Sequence, residues 1–340
     1  SFFNNSVHNT LEPVFWDRVY VYSMYSPQGG ALFNGENTTV IVKQCEFIGN
    51  SSVAGYHQTV VPSSRGGAIV NTASSEVIIV NSLFLNNSAT TENNWVGSAI
   101  TGASQGGAIY NSAHAKLLAS GNTFAKNALS GKTFQGGGIY NDGELTLLNS
   151  ILWDNEISQV HLTTAGTGST SIASCCIMGG FGGDNVISNN PLFVNAVEED
   201  YRLTRESPCI DAGSLAGATE LDLRGSSRPF DVVGIGSEGD NAYDIGAYEY
   251  VEGFPVSALL LPEAAVLEGA QWRIGDSDWN SSNTTIDVGA ENEYQISFSE
   301  VPGWFTPPAQ TIHAAEGTFV RVTGTYSQPL VPDVVGKKEA

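Results

Sequence analysis

One short motif occurs four times in the first half of the chain and limits what the chain can fold into. Each copy has two adjacent glycines, a small residue, an aliphatic residue, one variable residue and an asparagine. The copies are QGGALFN from Gln28, RGGAIVN from Arg65, QGGAIYN from Gln105 and QGGGIYN from Gln135. Their first glycines are 37, 40 and 30 residues apart. This irregular spacing indicates a repeat protein in which each unit carries an insert of variable length.

Each motif is followed by an alternating apolar run that ends in an aromatic residue or leucine three positions before an asparagine. The runs are TTVIVKQCEF, SEVIIVNSLF, AKLLASGNTF and GELTLLNSIL. A period of two predicts strands. Three short strands bury no face alone, but coils stacked on one another bury a continuous core. The sequence therefore predicts an all-β chain whose first domain is a right-handed parallel β-helix, beginning in mid-repeat.

The glycines and asparagines of the repeat are expected at the corners of the coils. Glycine permits a positive φ or a close backbone approach at a sharp turn. Each asparagine would lie about 4.8 Å from its copy in the next coil, where stacked amides can bond along a ladder. The two series start at Asn34 and Asn50. A structural role is favoured over a catalytic one for these asparagines.

Two stretches of the β-helix region resemble known families. The pairing of GGA plus an aliphatic residue with Phe-x-x-Asn, over about residues 1–160, is similar to the repeat of the chlamydial polymorphic outer-membrane proteins. That resemblance implies a surface-displayed β-helix that acts in adhesion. The phrases NPLFVN, YRLTRESPCIDAGS, LDLRGSSRP and DIGAYEY, within residues 190–250, resemble the closing segment of large secreted bacterial β-helix proteins. We therefore expect coils over residues 1–200 and a last rung and cap over 201–253, since an open end exposes strand edges and core.

The remaining sequence changes in character. Short alternating strands between Gly, Asn and Pro turns predict a small β-sandwich over residues 254–328. It is similar to the small Ig-like, PEGA-like modules of bacterial surface proteins, with Trp272/Arg273 and Gly303/Trp304 at the matching places. Its tryptophans are interpreted as core residues. Residues 329–340 are expected to be a linker and the start of a further module that resembles a PASTA domain, so a longer parent protein is expected.

The charge indicates the setting in which the chain works. Its formal net charge is −21, with 14 Lys and Arg against 35 Asp and Glu. Such a surface repels nucleic acid and anionic membranes. The sequence contains no signal peptide and no apolar stretch approaching the ~20 residues of a membrane span. We expect an extracellular or cell-surface location, with no nucleic-acid partner and no direct membrane insertion by this chain.

The variable inserts are the most promising binding region. They cover residues 6–28, 51–65, 88–105 and 128–135, and stacked coils would place them on one lateral surface. Aromatic side chains bind sugars and protein partners, which makes an extracellular glycan or surface protein the expected partner. The ligand-binding candidates are Trp16, Tyr22, Tyr56, His57, Trp95 and Phe134. The alternative is that these aromatic residues pack on each other and hold the loops down.

The sequence gives weaker evidence for a metal site or a disulfide. The five histidines lack zinc-ligand spacing. Calcium is a possible cofactor, because Asp222, Asp240 and Asp244 are oxygen donors in glycine-rich loops; alternatively they pair with Arg224 or Arg228 and bond loop amides. Cys45 is expected to be a free, packed thiol. A disulfide from Cys175 or Cys176 to Cys209 is possible but does not follow from spacing.

Three functions remain open from the sequence. The first is a non-catalytic adhesin or display module of a large bacterial protein, for which no catalytic residue is assigned. The second is a polysaccharide lyase or hydrolase that uses acidic residues on the last regular coil or at the loop face. Those on the coil are Asp142, Glu144, Asp154 and Glu156; solvated corner positions are the alternative reading of them. The third is a structural spacer that binds nothing.

Overall fold

The structure is a computed structural model that describes residues 28–55, 63–92, 102–163, 168–289, 291–314 and 319–328. It also gives the backbone of the short strands Phe2–Phe3, Ser6–Asn9, Val14–Trp16 and Val19–Val21. The chain divides into two compact units, Ser1–Tyr250 and Val251–Ala340. Each unit is described by itself below.

The first unit is a parallel β-helix, which confirms the predicted fold. Three parallel sheets form the sides of its coils, and we name them after residues that recur in them. The glycine sheet contains Leu32–Asn34, Ile69–Asn71, Ile109–Asn111, Ile139–Asn141 and Val160–Leu162. The valine sheet contains Thr39–Lys43, Glu76–Val80, Lys116–Ser120, Glu144–Leu148 and Thr170–Ala173. The phenylalanine sheet contains Phe2–Phe3, Glu46–Ile48, Leu83–Leu85, Thr123–Ala125, Ile151–Trp153 and Cys176–Ile177.

The register of these sheets is the register of the sequence repeat. Ile69 pairs with Leu32 in one neighbouring coil and with Ile109 in the other. Equivalent side chains therefore stack inside the helix. The rings of Phe47 and Phe84 lie 4.7 Å apart, centroid to centroid, and the Phe84 and Phe124 rings lie 4.6 Å apart. All three rings are completely buried, so the core is a set of rows of identical or similar apolar residues.

Two ladders of buried asparagines run beside this core, as the sequence predicted. The Asn34, Asn71 and Asn111 side chains each donate from Nδ2 to the Oδ1 of the next asparagine, at 2.9, 2.8 and 2.7 Å, and the row ends at Asn141. The second ladder connects Asn50, Asn87, Asn127, Asn155 and Gln159 in the same way. Buried side-chain amides need hydrogen-bond partners. Because copies of one asparagine stack, the amide of each coil finds its partner in the amide of the next.

The paired glycines of the motif have two different roles. The first of each pair has a positive φ, which is +69° at Gly106. The second has no space for a side chain, because a Cβ atom added at Gly107 would lie 2.2 Å from the Gly137 carbonyl oxygen of the next coil. Both requirements exclude larger residues at this corner.

The last coil and the segment after it complete the first unit. Short bridges pair Ala173 with Asp184 and Cys176 with Ile187, and Phe181 and Val186 pack against the end of the core. Residues 188–250, which we call the lateral segment, begin with the antiparallel hairpin Phe193–Asn195 and Asp200–Leu203 and contain the short 3-10 helix Gly239–Asn241.

The described contacts of the lateral segment lie along the side of the coils. The last rung and cap expected over residues 201–253 stay a prediction. Tyr201, Ala247 and Tyr248 cover the outer side chains Leu83, Leu85 and Ala125 of the phenylalanine sheet. Ile151 of the same sheet packs among Cys209, Ile210 and Ile245. The outer side chains of this sheet are apolar, so the segment buries a second hydrophobic layer there.

A column of corner residues holds one edge of the lateral segment. Gln44, Asn81 and Asn149 occupy the same corner in different coils, and their φ values lie between +46° and +50°. Gln44 donates to the Asp222 carbonyl at 2.6 Å, Asn81 to the Leu221 carbonyl, and Asn149 to the Ser214 carbonyl at 2.8 Å. Asparagine tolerates this left-handed backbone better than most residues, and its amide then reaches the segment.

The second unit has two three-stranded sheets. In one, Pro255–Leu261 pairs antiparallel with Thr285–Asp287 and parallel with Val320–Thr325. In the other, Asn292–Phe298 pairs antiparallel with Trp272–Ile274 and Gln310–Ala314. A short helix spans Glu263–Leu267. Trp272 is completely buried in the core and donates from Nε1 to the Ser281 carbonyl at 2.9 Å, which confirms its interpretation as a packing residue.

Candidate functional surface

The ends of the inserts form two further parallel sheets on the β-helix. The outgoing sheet contains Ser6–Asn9, Ser51–Ala54, Ser88–Thr91 and Ala128–Ser130. The return sheet contains Ser64–Arg65, Ala103–Gln105 and Thr133–Gln135. Successive inserts therefore leave the coils along one edge and return along one edge. We call the part of the surface between these two sheets the loop edge.

Small hydroxyl side chains fix the base of the loop edge. The buried Ser64 hydroxyl donates to the Ser52 carbonyl at 2.6 Å. One coil further along, the Ser104 hydroxyl bonds the Thr91 hydroxyl at 2.9 Å and the Ser130 carbonyl at 2.6 Å. These bonds join outgoing and return strands beneath the surface, so each insert starts and finishes on a fixed frame.

The structure places one predicted ligand-binding residue in full. Phe134 lies in the return sheet in register with Ser104, and 37 % of it is exposed. Trp16 lies in the strand Val14–Trp16, of which only the backbone is described. Tyr22, Tyr56, His57 and Trp95 lie outside the described residues. Their role in binding stays a prediction.

A stack of aromatic side chains follows the return sheet on the outside of the glycine sheet. The rings of Tyr110 and Tyr140 are 5.0 Å apart, and those of Tyr140 and His161 are 5.3 Å apart. The Arg65 guanidinium lies over the Tyr110 ring, 5.0 Å from its centroid. We call Tyr110, Tyr140 and His161 the aromatic column. Tyr110 and Tyr140 are 8 % and 7 % exposed and His161 is half-buried, so only a small part of the column reaches the surface.

A row of amides borders the aromatic column on its loop side. Arg65 Nε donates to Gln105 Oε1 at 3.4 Å, and Gln105 Nε2 donates to Gln135 Oε1 at 3.2 Å. Gln105 also hydrogen-bonds Tyr140. The surface therefore has a regular order of polar donors and acceptors, repeated once per coil.

The aromatic column is neutral near pH 7. Tyrosine is un-ionised at this pH even without burial, and burial raises the pKa of Tyr110 and raises that of Tyr140 to about 12, where the neighbouring Tyr110 adds to the effect. Burial also lowers the pKa of His161 from 6.5, so its imidazole is mostly uncharged. The column and amide row together offer neutral hydrogen-bonding groups and the single guanidinium of Arg65.

Sequence reasoning did not select the aromatic column. Tyr110 and Tyr140 occupy the variable position of the glycine motif, where the other copies have Phe33 and Val70, and His161 pairs with Tyr140 from a coil that lacks the motif. The signal available was the pair of tyrosines at the same motif position in consecutive copies, because equal positions stack in a parallel β-helix.

Of the three aspartates predicted as metal ligands, Asp222 and Asp244 both contact Glu249: Asp222 Oδ2 accepts from the Glu249 N–H at 3.0 Å, and the Asp244 N–H donates to Glu249 Oε2 at 3.2 Å. Their role as ligands stays a prediction. Asp222 Oδ1 accepts from the backbone N–H groups of Arg224 and Ser226, at 2.8 and 2.7 Å. Asp244 is completely buried and accepts from the Asp211 and Tyr250 N–H groups at 2.8 and 2.5 Å. Asp240 is exposed. Across the described residues, no group of three or more His, Cys, Asp or Glu side chains is arranged to hold a metal.

Asp244 belongs to a buried carboxylate cluster in the lateral segment. Glu249 forms an ion pair with Arg228, 3.1 Å between Oε2 and Nε, and accepts from the Phe230 N–H at 2.8 Å. Burial raises the pKa of Glu249 to about 7 despite Arg228, and raises the pKa of Asp211 to about 6. Burial and the neighbouring Glu249 raise the pKa of Asp244 well above its usual range. These carboxyl groups organise backbone N–H groups inside the segment.

The acidic residues of the enzyme alternative lie at two corners of the coil. Asp142 and Glu144 follow the glycine sheet, where Asp142 accepts from the Thr163 hydroxyl and Glu144 faces Lys116 at 3.8 Å. Asp154 and Glu156 follow the phenylalanine sheet, and Glu156 accepts from the Leu129 N–H at 3.0 Å. An open groove of about 370 Å³ on the first corner is lined by hydroxyl groups, His114, Lys116 and one carboxylate, Glu76. Glycoside hydrolysis ordinarily uses two.

The four cysteines are free. Cys175, Cys176 and Cys209 are completely buried, and the Cys176 and Cys209 side chains hydrogen-bond each other. Cys45 is half-buried. A free thiol was the expectation for Cys45, and the possible disulfide to Cys209 is not formed in this structure.

Comparison with known proteins connects part of the β-helix to one repeat family. The Chlamydia polymorphic membrane protein repeat matches residues 81–112. This stretch contains the Phe84/Asn87 ending, the third insert and the third glycine motif through Asn111. No curated protein and no solved structure matches the chain. Within the described residues, no helix is long and apolar enough to cross a membrane.

Proposed function

We propose that the chain is a non-catalytic, surface-exposed adhesin or display module that binds glycans or protein partners through the loop edge. The observation that carries the proposal is the arrangement of the inserts, which leave and return on two parallel sheets of a rigid β-helix. Loops on a rigid scaffold commonly carry binding function. Stacking places the bases of successive loops side by side along one edge.

The composition of the neighbouring surface supports this proposal. The aromatic column and its amide row lie beside the return sheet and offer neutral hydrogen-bonding groups. Sugars and polar peptide surfaces are bound by hydrogen-bonding groups of this kind. The match to a repeat of membrane proteins at residues 81–112 and the net charge of −21 favour display at a cell surface or outside the cell.

A glycan-array screen, with and without calcium and with a parallel assay for shortened or unsaturated products, tests the proposal. We expect binding without product, and we expect Trp95→Ala and Phe134→Ala each to weaken it at least about tenfold. Trp279→Ala is the matched control, since Trp279 is an aromatic residue 39 % exposed in the second unit. Product formation would establish the enzyme alternative. Binding that both loop-edge variants leave unchanged would contradict the assignment to this face.

A further inference from the structure

Two buried cysteines meet where the lateral segment packs on the last coil. Cys176 lies in the strand Cys176–Ile177, at the end of the phenylalanine sheet, and Cys209 lies in the lateral segment. Both are completely buried and belong to one apolar cluster with Ile151 and Ile245. Their side chains hydrogen-bond each other. The two sulfur atoms are therefore in direct contact.

The structure decides which of the adjacent cysteines reaches Cys209, a choice that the sequence left open. Successive residues of an extended chain point to opposite sides. Cys175 and Ile177 pack in the interior of the coils. Cys176, between them, packs on the outside, in the cluster that contains Cys209. Cys175 is thus directed away from the lateral segment, and Cys176 is the one that faces it.

The backbone on both sides of the thiol contact is held by hydrogen bonds. The Cys176 N–H donates to the Ser150 carbonyl at 3.0 Å. The Cys209 N–H donates to the Ser207 hydroxyl at 3.2 Å, and the Cys209 carbonyl accepts from the Ile245 N–H at 2.9 Å. A disulfide requires two cysteines whose side chains already point at each other over a short distance. Thiols in contact on two fixed backbones are arranged for such a bond.

We propose that Cys176 and Cys209 form a disulfide in an oxidising medium, and that this bond fastens the lateral segment to the last coil. The oxidant is a small-molecule or protein disulfide, such as oxidised glutathione. One cysteine thiolate attacks it, a mixed disulfide forms and one glutathione thiolate leaves. The second cysteine thiolate then attacks the sulfur of the first and displaces the other glutathione. The two cysteines lose two electrons and two protons, and the oxidised glutathione gains them as two thiols.

The bond forms while the chain folds. In the folded protein both thiols are enclosed, so an oxidant does not reach them. The contact with Cys176, together with burial, also raises the pKa of Cys209 well above its ordinary value, and only a thiolate exchanges with a disulfide. Cysteines that meet no oxidant during folding stay free, as they are in this structure.

The disulfide changes what holds the lateral segment in place. It closes the stretch of chain between residues 176 and 209, and a cross-link that closes a long loop restricts the unfolded chain. The first unit should therefore resist unfolding better with the bond than without it. Residue 209 then leaves the last coil only if a covalent bond breaks. Neither cysteine lies on the loop edge, so the proposal stands independently of the function proposed above.

Peptide mapping of the full chain tests the bond directly. The chain is unfolded, reduced and refolded in a mixture of oxidised and reduced glutathione, and free thiols are then blocked before digestion with trypsin. No Lys or Arg lies within residues 133–201, so Cys175 and Cys176 stay in one peptide, and fragmentation between them assigns the linked sulfur. We expect Cys176 linked to Cys209. Four free thiols, or a link from Cys175 or Cys45, overturns the proposal.

Thermal unfolding tests whether the bond fastens the segment. We expect the linked chain to melt at least about 4 °C above the same chain kept in dithiothreitol. This difference should disappear in Cys176→Ala and in Cys209→Ala, whereas Cys45→Ser, which changes the half-buried thiol, should keep it. The comparison of linked and reduced wild type needs no substitution, so it holds even if a variant fails to fold. A linked wild-type chain that melts no higher than the reduced one overturns the proposed role.

Discussion

The two units of the chain build their cores in opposite ways. In the β-helix, a side chain packs mainly on copies of itself, as Phe84 does between Phe47 and Phe124. In the second unit, Trp272 is surrounded by residues of different types from several strands, including Ala258, Ile296 and Phe298. The repeated core makes every position depend on its equivalents in the adjacent coils. The non-repeated core makes each position unique, so that its loss affects one small unit.

The strongest test of this difference compares Phe84→Ala with Trp272→Ala. Each removes a completely buried aromatic side chain, and we expect each to lower the free energy of unfolding by about 3–5 kcal/mol. Hydrogen exchange read by mass spectrometry should show the lost protection in different places. Phe84→Ala should expose coils on both sides of residue 84, whereas Trp272→Ala should affect only residues after 250. Loss of protection confined to the single coil around residue 84 would contradict the mutual dependence of the rows.

Asn87→Ala tests the second asparagine ladder, which is the polar equivalent of the apolar rows. Asn87 donates to Asn127 Oδ1 and to the Phe47 carbonyl, both at 2.9 Å, and accepts from the Asn50 side chain at 2.9 Å. Each partner left unsatisfied in the interior costs about 1–3 kcal/mol, so we expect a loss of roughly 2–4 kcal/mol in urea unfolding. Asn292→Ala, at an exposed asparagine of the second unit, should change stability by about 0.5 kcal/mol or less. Similar losses for the two variants would remove the distinction between ladder and surface amides.

The stability of the lateral segment should depend on pH. The folded-state pKa values of Glu249 and Asp211 are raised, to about 7 and about 6. A raised carboxyl pKa means that the folded state binds more protons than the unfolded state, so stability falls as pH rises from about 4.5 to 7. We expect the free energy of unfolding of the first unit to be lower at pH 8 than at pH 5, by an amount on the order of 1–3 kcal/mol, and the unfolding midpoint to be lower accordingly. Peptides from residues 201–250 should be the first to lose protection from hydrogen exchange as the pH rises.

Glu249→Gln distinguishes this local effect from the general relief of negative charge on acidification. It removes one titrating group from the interior, so the decrease between pH 5 and pH 8 should become shallower than in the wild type. An unchanged slope, or a wild-type midpoint that rises with pH, would contradict the role given to the buried cluster.

Thiol labelling offers the mildest test, because its first step uses the wild-type protein. All four cysteines lie in the first unit. Burial raises the pKa of Cys175 to about 12, and the contact with Cys176, together with burial, raises that of Cys209 well above its ordinary value. Iodoacetamide at pH 8 should therefore modify Cys45 and spare Cys175, Cys176 and Cys209 in the native protein. In Phe84→Ala the buried thiols should become reactive, and in Trp272→Ala they should not. Rapid modification of Cys209 in the wild type would contradict the packing of the lateral segment.

The parts of the fold that the sequence predicted are the parts that repeat. Phe47, Phe84 and Phe124 recur at one motif position, and so do the asparagines, because stacking forces equivalent residues into contact. The side position of the lateral segment could not be read in this way. It depends on Gln44, Asn81 and Asn149, whose side-chain amides donate to backbone carbonyls of the segment, and any sequence would supply such carbonyls.

The same difference between repeated and non-repeated sequence decides which parts of the candidate surfaces could be predicted. That the inserts share one edge follows from the repeat, and the two sheets at their bases bear it out. The aromatic column was missed because its position varies between coils, from Phe33 to Val70 to tyrosine, and His161 lies in a coil without the motif. The packing of Tyr201 against Leu83 and Leu85 was missed because it joins the coils to a residue of a non-repeated hairpin. Pairings between repeated and unique sequence leave no periodic signal.

The second asparagine ladder also has a sense of direction. Every amide in it donates toward the higher-numbered coil, and aligned hydrogen bonds of this kind polarise and strengthen one another. The last acceptor is Gln159, whose own Nε2 turns back to the Asn155 carbonyl at 3.1 Å. Gln159 is not a further copy of the ladder asparagine, because Val160 pairs with Ile139 and Gln159 is therefore aligned with Gly138. The row thus ends in a side chain only four residues after its last asparagine, and the protein closes the amide column without another repeat.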